Sequence, residues 1–213
     1  MPAWPILSPL SDEDARMVLA AARRRTYRRG EVVFHRDDPS DTMHLIASGC
    51  FAVRVITPVG DVASLSLLGP GDCFGELALI RPEHTRSATV EALEPSETRV
   101  LSLQQFTELR RQHPHLDAML VSLLADRVAE LTNRLVEALY TPAPQRVSRL
   151  LDDLAQRYAD DSGTATIPLT QEDLAGLAGT SRLTVSRVLG NMRKQGLVEV
   201  RRGRITMHAD PSQ

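Results

Sequence analysis

The sequence predicts an α+β chain in three successive parts: a sheet-built front half, one long helix, and a helical back half closed by a hairpin. Three observations predict it. Short apolar runs separated by Gly- and Pro-containing turns fill residues 31–72. Apolar residues then recur at alternating steps of three and four from Val121 to Ala138. The last third carries two amphipathic segments on either side of Gly179, then two short stretches flanking Arg202-Gly203. The expected divisions are residues 1–112, a helix over 113–139, a hinge at 140–144 and a final domain over 145–213.

Each element has a local reason. Ser11 before Asp12-Glu13-Asp14 is an N-cap followed by acids in the first turn, and the helix runs on through Met17, Val18 and Leu19. After Arg28-Arg29-Gly30 the pattern changes. Strands are expected at Glu31–Phe34, Met43–Ile46, Phe51–Val55 and Ala63–Leu67. Asp37–Ser40, Ser48-Gly49, Pro58–Asp61 and Gly69–Asp72 supply the turns. This spacing argues for a β-roll or barrel.

His113-Pro114-His115 opens the long helix, with Pro114 in its first turn. Val121, Leu124, Val128, Leu131, Leu135 and Ala138 form a narrow seam, with Asp126, Arg127, Glu130, Arg134 and Glu137 outside it. Such a seam calls for a partner helix; the alternative is packing on the helix's own domain. Pro142 and Pro144 end the helix. Gln145–Tyr158 is amphipathic through Val147, Leu150, Leu151 and Leu154, and Asp160-Asp161-Ser162-Gly163 is a turn. Thr170 with Asp173 resembles a capping box. Leu174, Ala175, Leu177 and Ala178 face inward, and Gly179 makes a sharp turn. The next helix starts near Ser181, buries Val185, Leu189 and Met192, and stops at Gly196. Val198–Val200 and Arg204–Met207 form the hairpin.

The 213 residues are enough for one or two domains, and 42% hydrophobic content fits a soluble globular chain. No apolar run approaches the ~20 residues of a membrane span, and Met1-Pro2-Ala3-Trp4 lacks the features of a signal peptide. A cytoplasmic protein, with no membrane partner, is the expectation. Cys50 and Cys73 are the only cysteines, expected as buried or half-buried thiols. Two thiols cannot supply the four ligands of an iron–sulphur cluster. The net charge of −2 conceals an asymmetry. Between Thr180 and His208 stand Arg182, Arg187, Arg193, Lys194, Arg201, Arg202 and Arg204, against the single acid Glu199. A local basic patch of this kind suits a phosphate backbone.

Two segments carry the chemistry. One is Gly71-Asp72-Cys73-Phe74-Gly75-Glu76-Leu77, followed by Thr85-Arg86-Ser87-Ala88-Thr89-Val90. The other is Thr170-Gln171-Glu172-Asp173-Leu174-Ala175, followed by Gly179-Thr180-Ser181-Arg182-Leu183-Thr184-Val185-Ser186-Arg187-Val188-Leu189. In this order they resemble the cyclic-AMP receptor protein and FNR family of bacterial transcription regulators, from roughly Leu7 to Met207. The resemblance implies a jelly-roll-like cyclic-nucleotide-binding domain, a long dimerisation helix and a C-terminal winged helix-turn-helix.

It also implies roles. Gly75 lets the backbone approach the ligand without a Cβ. Backbone N–H groups at a helical turn around Leu77-Ala78 face the phosphate. Arg86 offers it a charge-assisted fork and Ser87 a further donor. Glu76 accepts from the ribose 2′-hydroxyl. The ten positions from Glu76 to Arg86 match the family's cassette; the plain alternative is a surface salt bridge between the two. On the long helix, Thr132 or the neighbouring Asn133 falls where the family contacts the base. Alignment can also place Leu131 there, which would remove one base contact. In the second segment Arg182 and Arg187 match positions that grip guanine. Thr170, Ser181, Thr184, Ser186 and Arg202 complete the expected DNA-contacting set. Leu183 stands where the family commonly has glutamate. Leucine accepts no hydrogen bond but can touch a thymine methyl, so a different half-site is expected.

The implied function is a non-enzymatic, homodimeric regulator that joins through residues 113–139, binds a palindromic double-stranded operator and responds to cyclic AMP. RNA polymerase is a further expected partner, through the loop that begins at Asp160. Other readings stay open. The same dimer could act without an effector. A thiol sensor would use Cys50 or Cys73. A cupin-like enzyme would need clustered His and Glu ligands, which the sequence does not offer; a haem or metal sensor would need ligands from His35, His44, His84, His113, His115 and Cys73, which lack tight metal spacing. The family's haem-binding members carry Cys and His where this chain has Gly75 and Leu77, so no metal is expected. Activation versus repression, operator sequence and target genes are not written in the residues.

Overall fold

In the computed structural model the described residues are 4–56, 60, 62–80, 85–160, 162–201 and 203–208. They form two compact units. One comprises Met1–Val55 with Ser66–Leu131, the other Ile56–Leu65 with Thr132–Gln213.

The first unit opens with α1 (Asp12–Ala21), capped by Ser11, whose hydroxyl accepts from the Asp14 amide. Eight strands follow: β1 (Arg23–Tyr27), β2 (Val32–Phe34), β3 (Thr42–Ser48), β4 (Phe51–Ile56), β5 (Val62–Leu68), β6 (Cys73–Phe74), β7 (Thr89–Ala92) and β8 (Ser96–Ser102). The short helix α2 (Leu77–Ile80) lies between β6 and β7. The strands pair in two four-stranded sheets, ordered β1-β8-β3-β6 and β2-β7-β4-β5. The β-roll expectation holds. The four strands read from the sequence correspond to β2 to β5; β2 is one residue shorter than read, and β3 to β5 are longer by one to three residues.

Strand β3 shows why this region packs on two sides. Side chains alternate faces along a strand. Ile46 joins Tyr27, Phe51, Phe74 and Val90 in a core supplied by both sheets. Met43 and Leu45 point the other way, into a second core with Val18 of α1 and Leu101 of β8. Trp4 closes that side by donating Nε1–H to the Ile46 carbonyl at 3.0 Å.

Helix α3 (Leu103–Gln112) starts at a capping box of Ser102 and Gln105. A 3₁₀ turn, Pro114–Leu116, leads into α4 (Asp117–Tyr140). The Pro114 segment is thus a tighter turn, and the α-helix proper begins three residues later. Helix α4 combines the two expectations for it. Its first turns bury Met119, Leu120 and Leu123 in the first unit's core. Farther along, Val128, Leu131 and Leu135 are 64%, 65% and 60% exposed, an apolar seam open to solvent.

In the second unit, α5 (Ala143–Tyr158) places Pro144 within its first turn, where a missing N–H costs nothing. The helix therefore begins two residues before Gln145. Strand β9 (Ala165–Ile167), α6 (Gln171–Leu177), α7 (Arg182–Lys194), β10 (Val198–Arg201) and β11 (Arg204–Met207) complete the chain. The small sheet runs β10-β11-β9, with the expected hairpin at its edge. Among the described residues, no helix is long and apolar enough to cross a membrane.

Candidate functional site

The first unit holds a cavity of ≈ 170 Å³ whose walls include Phe34, Gly75, Glu76, Arg86, Ser87 and Arg127. The cassette residues converge because β6, α2 and the segment entering β7 meet there. Gly75 has φ +77°, and a Cβ on it would stand 2.7 Å from both Arg86 Nη1 and the Thr42 carbonyl. Only glycine fits that backbone without displacing the arginine.

Arg86 is the centre of the site. Its side chain is 4% exposed. Nη1 donates to the Thr42 carbonyl and Nη2 to Thr42 Oγ1, each at 2.7 Å. The guanidinium carbon lies 4.1 Å from the Phe34 ring centroid, a cation–π contact. Asp41 Oδ1 approaches Nη2 at 3.7 Å. Burial lowers the arginine's pKa, against the pull of Asp41, Asp38 and Glu76. Its buried Nε–H has no hydrogen-bond partner among the described residues. An orphaned, charged donor beside a cavity is matched to an anionic acceptor.

Glu76 and Arg86 are not joined as a surface salt bridge; among the described residues the arginine's charge partner within 4 Å is Asp41. Leu77 and Ser87 are exposed at the rim. Three contributors escaped the sequence reading. Phe34 and Thr42 carried no motif. Arg127 was legible only as a charge flanking the seam. It donates Nη2–H to the Cys73 carbonyl and Nη1–H to Glu130, each at 3.0 Å. Burial lowers its pKa, but the nearby Glu76 and Glu130 outweigh that and raise it. Thr132 and Asn133 lie on an exposed stretch of α4 that groups with the second unit.

Both cysteines are buried. Burial, with Glu76 nearby, pushes the Cys73 thiol up to about 12, far from a reactive thiolate. His44 is 2% exposed and stacks on Phe74, centroids 4.7 Å apart. His84 and Arg202 lie outside the described residues, as do the side chain of His115 and Asp161 of the loop.

The second unit presents the other site. Thr170 and Asp173 form the capping box of α6: Thr170 Oγ1 accepts from the Asp173 amide at 3.1 Å, and Asp173 Oδ2 accepts from the Thr170 amide at 2.9 Å. The second Asp173 oxygen accepts from Ser64 Oγ at 2.7 Å, so Ser64 of β5 lies against this helix. Gly179, at φ +57°, turns the chain into α7. Ser181 caps α7 by accepting from the Thr184 amide. Val185 and Leu189 are buried beneath. Arg182, Leu183, Ser186 and Arg187 are all exposed on the other side. The Arg182 side chain is 72% exposed, its nearest acid Glu172 at 3.9 Å.

Arg146 of α5, unremarked in the sequence, fixes this turn from behind. It donates to the Ala178 and Gly179 carbonyls at 2.8 Å and to the Thr141 carbonyl at 2.6 Å. One side chain thus satisfies carbonyls left open at the ends of two helices. In the hairpin, Arg201 pairs with Glu199 at 2.8 Å.

Residues 24–113 match the Cyclic nucleotide-binding domain, and residues 145–211 match the Crp-like helix-turn-helix domain. The Cyclic AMP receptor protein of Thermus thermophilus is 32% identical over 205 residues, 96% of this chain and 93% of that protein. The chain belongs to the cyclic-AMP receptor protein/FNR family. Family membership makes it a DNA-binding transcription regulator with a cyclic-nucleotide-binding domain. The CRP-like cAMP-activated global transcriptional regulator of Mycobacterium tuberculosis is 34% identical over 179 residues, 81% of this chain and 78% of that protein. Among solved structures, the Thermus thermophilus catabolite activator protein matches with TM-score 0.57 at 32% identity, over 96% of this chain and 93% of that one. The CLP regulator of Xanthomonas campestris has TM-score 0.76 over 94% of this chain and all of that one. At 21% identity it supports the family fold alone.

Proposed function

We propose that the regulator is a cytoplasmic homodimer that binds cyclic AMP in its first unit and a palindromic operator through its second. The observation that carries this is Arg86: a buried guanidinium whose Nε–H has no hydrogen-bond partner among the described residues, on a cavity whose Gly75 wall leaves no room for a Cβ. The residues present fit a cyclic nucleotide. Arg86 and Ser87 would hold the phosphate, with the backbone at Gly75 and Leu77 beside it. Glu76 would accept from the ribose, and Thr132 or Asn133 would meet the base. The ligand must favour one arrangement of the two units, since equal affinity for both would shift nothing.

The exposed seam Val128, Leu131, Leu135 supports pairing of residues 113–139 across a dimer. Two α7 helices would then enter successive major grooves about 34 Å apart. Arg182 and Arg187 would read guanine. Thr170, Ser181, Thr184, Ser186 and Arg202 would contact phosphates and neighbouring edges. Leu183, 60% exposed on the same face, would meet a thymine methyl. Asp160 accepts from the Ser162 and Thr164 amides and so orders the loop that would reach RNA polymerase.

Calorimetric titration of nucleotide-stripped protein with cyclic AMP and cyclic GMP tests the reading, with Arg86→Ala as control. Saturable binding of cyclic AMP that the variant loses, by about 100-fold or more, is the expected outcome. A protein that binds neither nucleotide yet holds its operator fully would act without an effector.

A further inference from the structure

We infer that Thr42, backed by His44, is a positioning residue that sets the orientation of the Arg86 guanidinium and with it the affinity for a cyclic-nucleotide phosphate. The inference rests on the reading that Arg86 receives that phosphate. Thr42 stands at the start of β3 and takes both outer nitrogens of the guanidinium, one on its carbonyl and one on its hydroxyl, at 2.7 Å each. Two short bonds from one residue, with the guanidinium lying over the Phe34 ring, restrain the orientation of the fork. Nε–H is the buried donor that this arrangement leaves over.

Behind Thr42 the polar contacts continue into the roll. Because Thr42 Oγ1 accepts from Arg86, its own proton is available to His44 Nε2, a long contact at 3.4 Å. Nε2 is then an acceptor and the imidazole carries its proton on Nδ1. That nitrogen faces Tyr27 Oη at 3.2 Å and Thr98 Oγ1 at 3.3 Å. Burial first, then Arg86 and Arg25, pull the His44 pKa down to about 3, so the ring stays a neutral acceptor. Its stacking on Phe74 fixes the ring plane. Buried polar groups cost stability unless paired, and each of these has a partner. The network buys orientation: a threonine hydroxyl turned by His44 toward the arginine that faces the cavity.

The test compares cyclic AMP affinity and thermal stability of the full-length protein with Thr42→Val, Thr42→Ser, Arg86→Lys and the Thr42→Val/Arg86→Lys double variant. Valine keeps the shape and the backbone carbonyl but removes the hydroxyl that accepts from Nη2; lysine keeps the charge and removes the fork. Thr42→Val is expected to weaken binding about tenfold in the parent. Serine should restore it to within about threefold, and the loss should shrink below about twofold beside Arg86→Lys. Unchanged affinity in Thr42→Val, or an equal loss in both backgrounds, overturns the inference. If Thr42→Val does not fold, His44→Phe keeps the stacked ring and removes the acceptor. A loss confined to the Arg86 parent then supports the inference, and parent-like affinity overturns it. If the parent itself binds no cyclic AMP, the underlying reading falls and takes the inference with it, an outcome distinct from failure at Thr42 alone.

Discussion

Arg86 in the first unit and Arg182 in the second are both proposed to meet phosphate or base oxygens, yet they are built in opposite ways. Arg86 has a side chain 4% exposed, with its outer nitrogens already bonded to Thr42. Arg182 is 72% exposed, with a single loose approach to Glu172. A small anion can enter a cavity, so its receptor can be dry and fixed beforehand. A duplex cannot, so its reader must stand in water and be ordered only on contact. On the proposed roles, one type of side chain serves both preorganised and adaptive recognition, with burial as the variable.

Salt gives the largest expected separation. Exposed contacts to DNA release counterions, while buried charges are screened little. Between 50 and 200 mM salt, specific DNA affinity should fall by on the order of 10³-fold, and cyclic AMP affinity by less than about threefold. Fluorescence anisotropy and calorimetry across that range decide it. Equal slopes would mean that Arg86 binds from a solvated state.

A single pair of glycine substitutions sharpens the contrast. Gly75→Ala meets Arg86 and Thr42 at 2.7 Å with φ +77°, whereas an added Cβ at Gly190 on α7 meets nothing within 4 Å. Gly75→Ala should destabilise by about 1–3 kcal/mol and abolish cyclic AMP binding. Gly190→Ala should stabilise the free protein by up to about 1 kcal/mol. Denaturant unfolding measures both. Two losses of similar size would show the helix face to be as tightly constrained as the cavity wall.

The smallest effect concerns pH. His44 has a folded pKa of about 3, below its ordinary 6.5. The unfolded chain therefore takes up a proton that the folded chain refuses, so this contribution is full above pH 6.5 and is lost as pH falls toward 3. From pH 6.5 to 5 the parent should lose on the order of 1 kcal/mol per pH unit more than His44→Phe. Parallel unfolding curves would mean that His44 is solvated.

The second unit was the more legible in sequence. Its caps, turns and periodicities are local, and Thr170, Asp173, Gly179, Ser181 and Gly196 fall at helix ends or turns as read. In the first unit β1 went unread. Its Arg23-Arg24-Arg25 is polar because β1 is an edge strand that, among the described residues, pairs only with β8, where charge is tolerated and guards the edge. Strands β6, β7 and β8 were also missed. β6 is two residues long, and β7 pairs with β2 and β4, strands distant from it in sequence.

By itself the sequence determined the order of parts, the two chemistry-bearing segments and the caps of α1, α6 and α7. Those depend on neighbours a few residues apart. Only the tertiary structure decided what surrounds Arg86. Thr42 lies 44 residues away and Phe34 on another strand, and Arg127 arrives from α4. It also decided that Arg146 ties the hinge to the turn before α7, and that Ser64 reaches Asp173 across 109 residues. Such contacts follow from how sheets and helices close on one another. A threonine or phenylalanine that orients a charge has the same spelling as one that fills a strand.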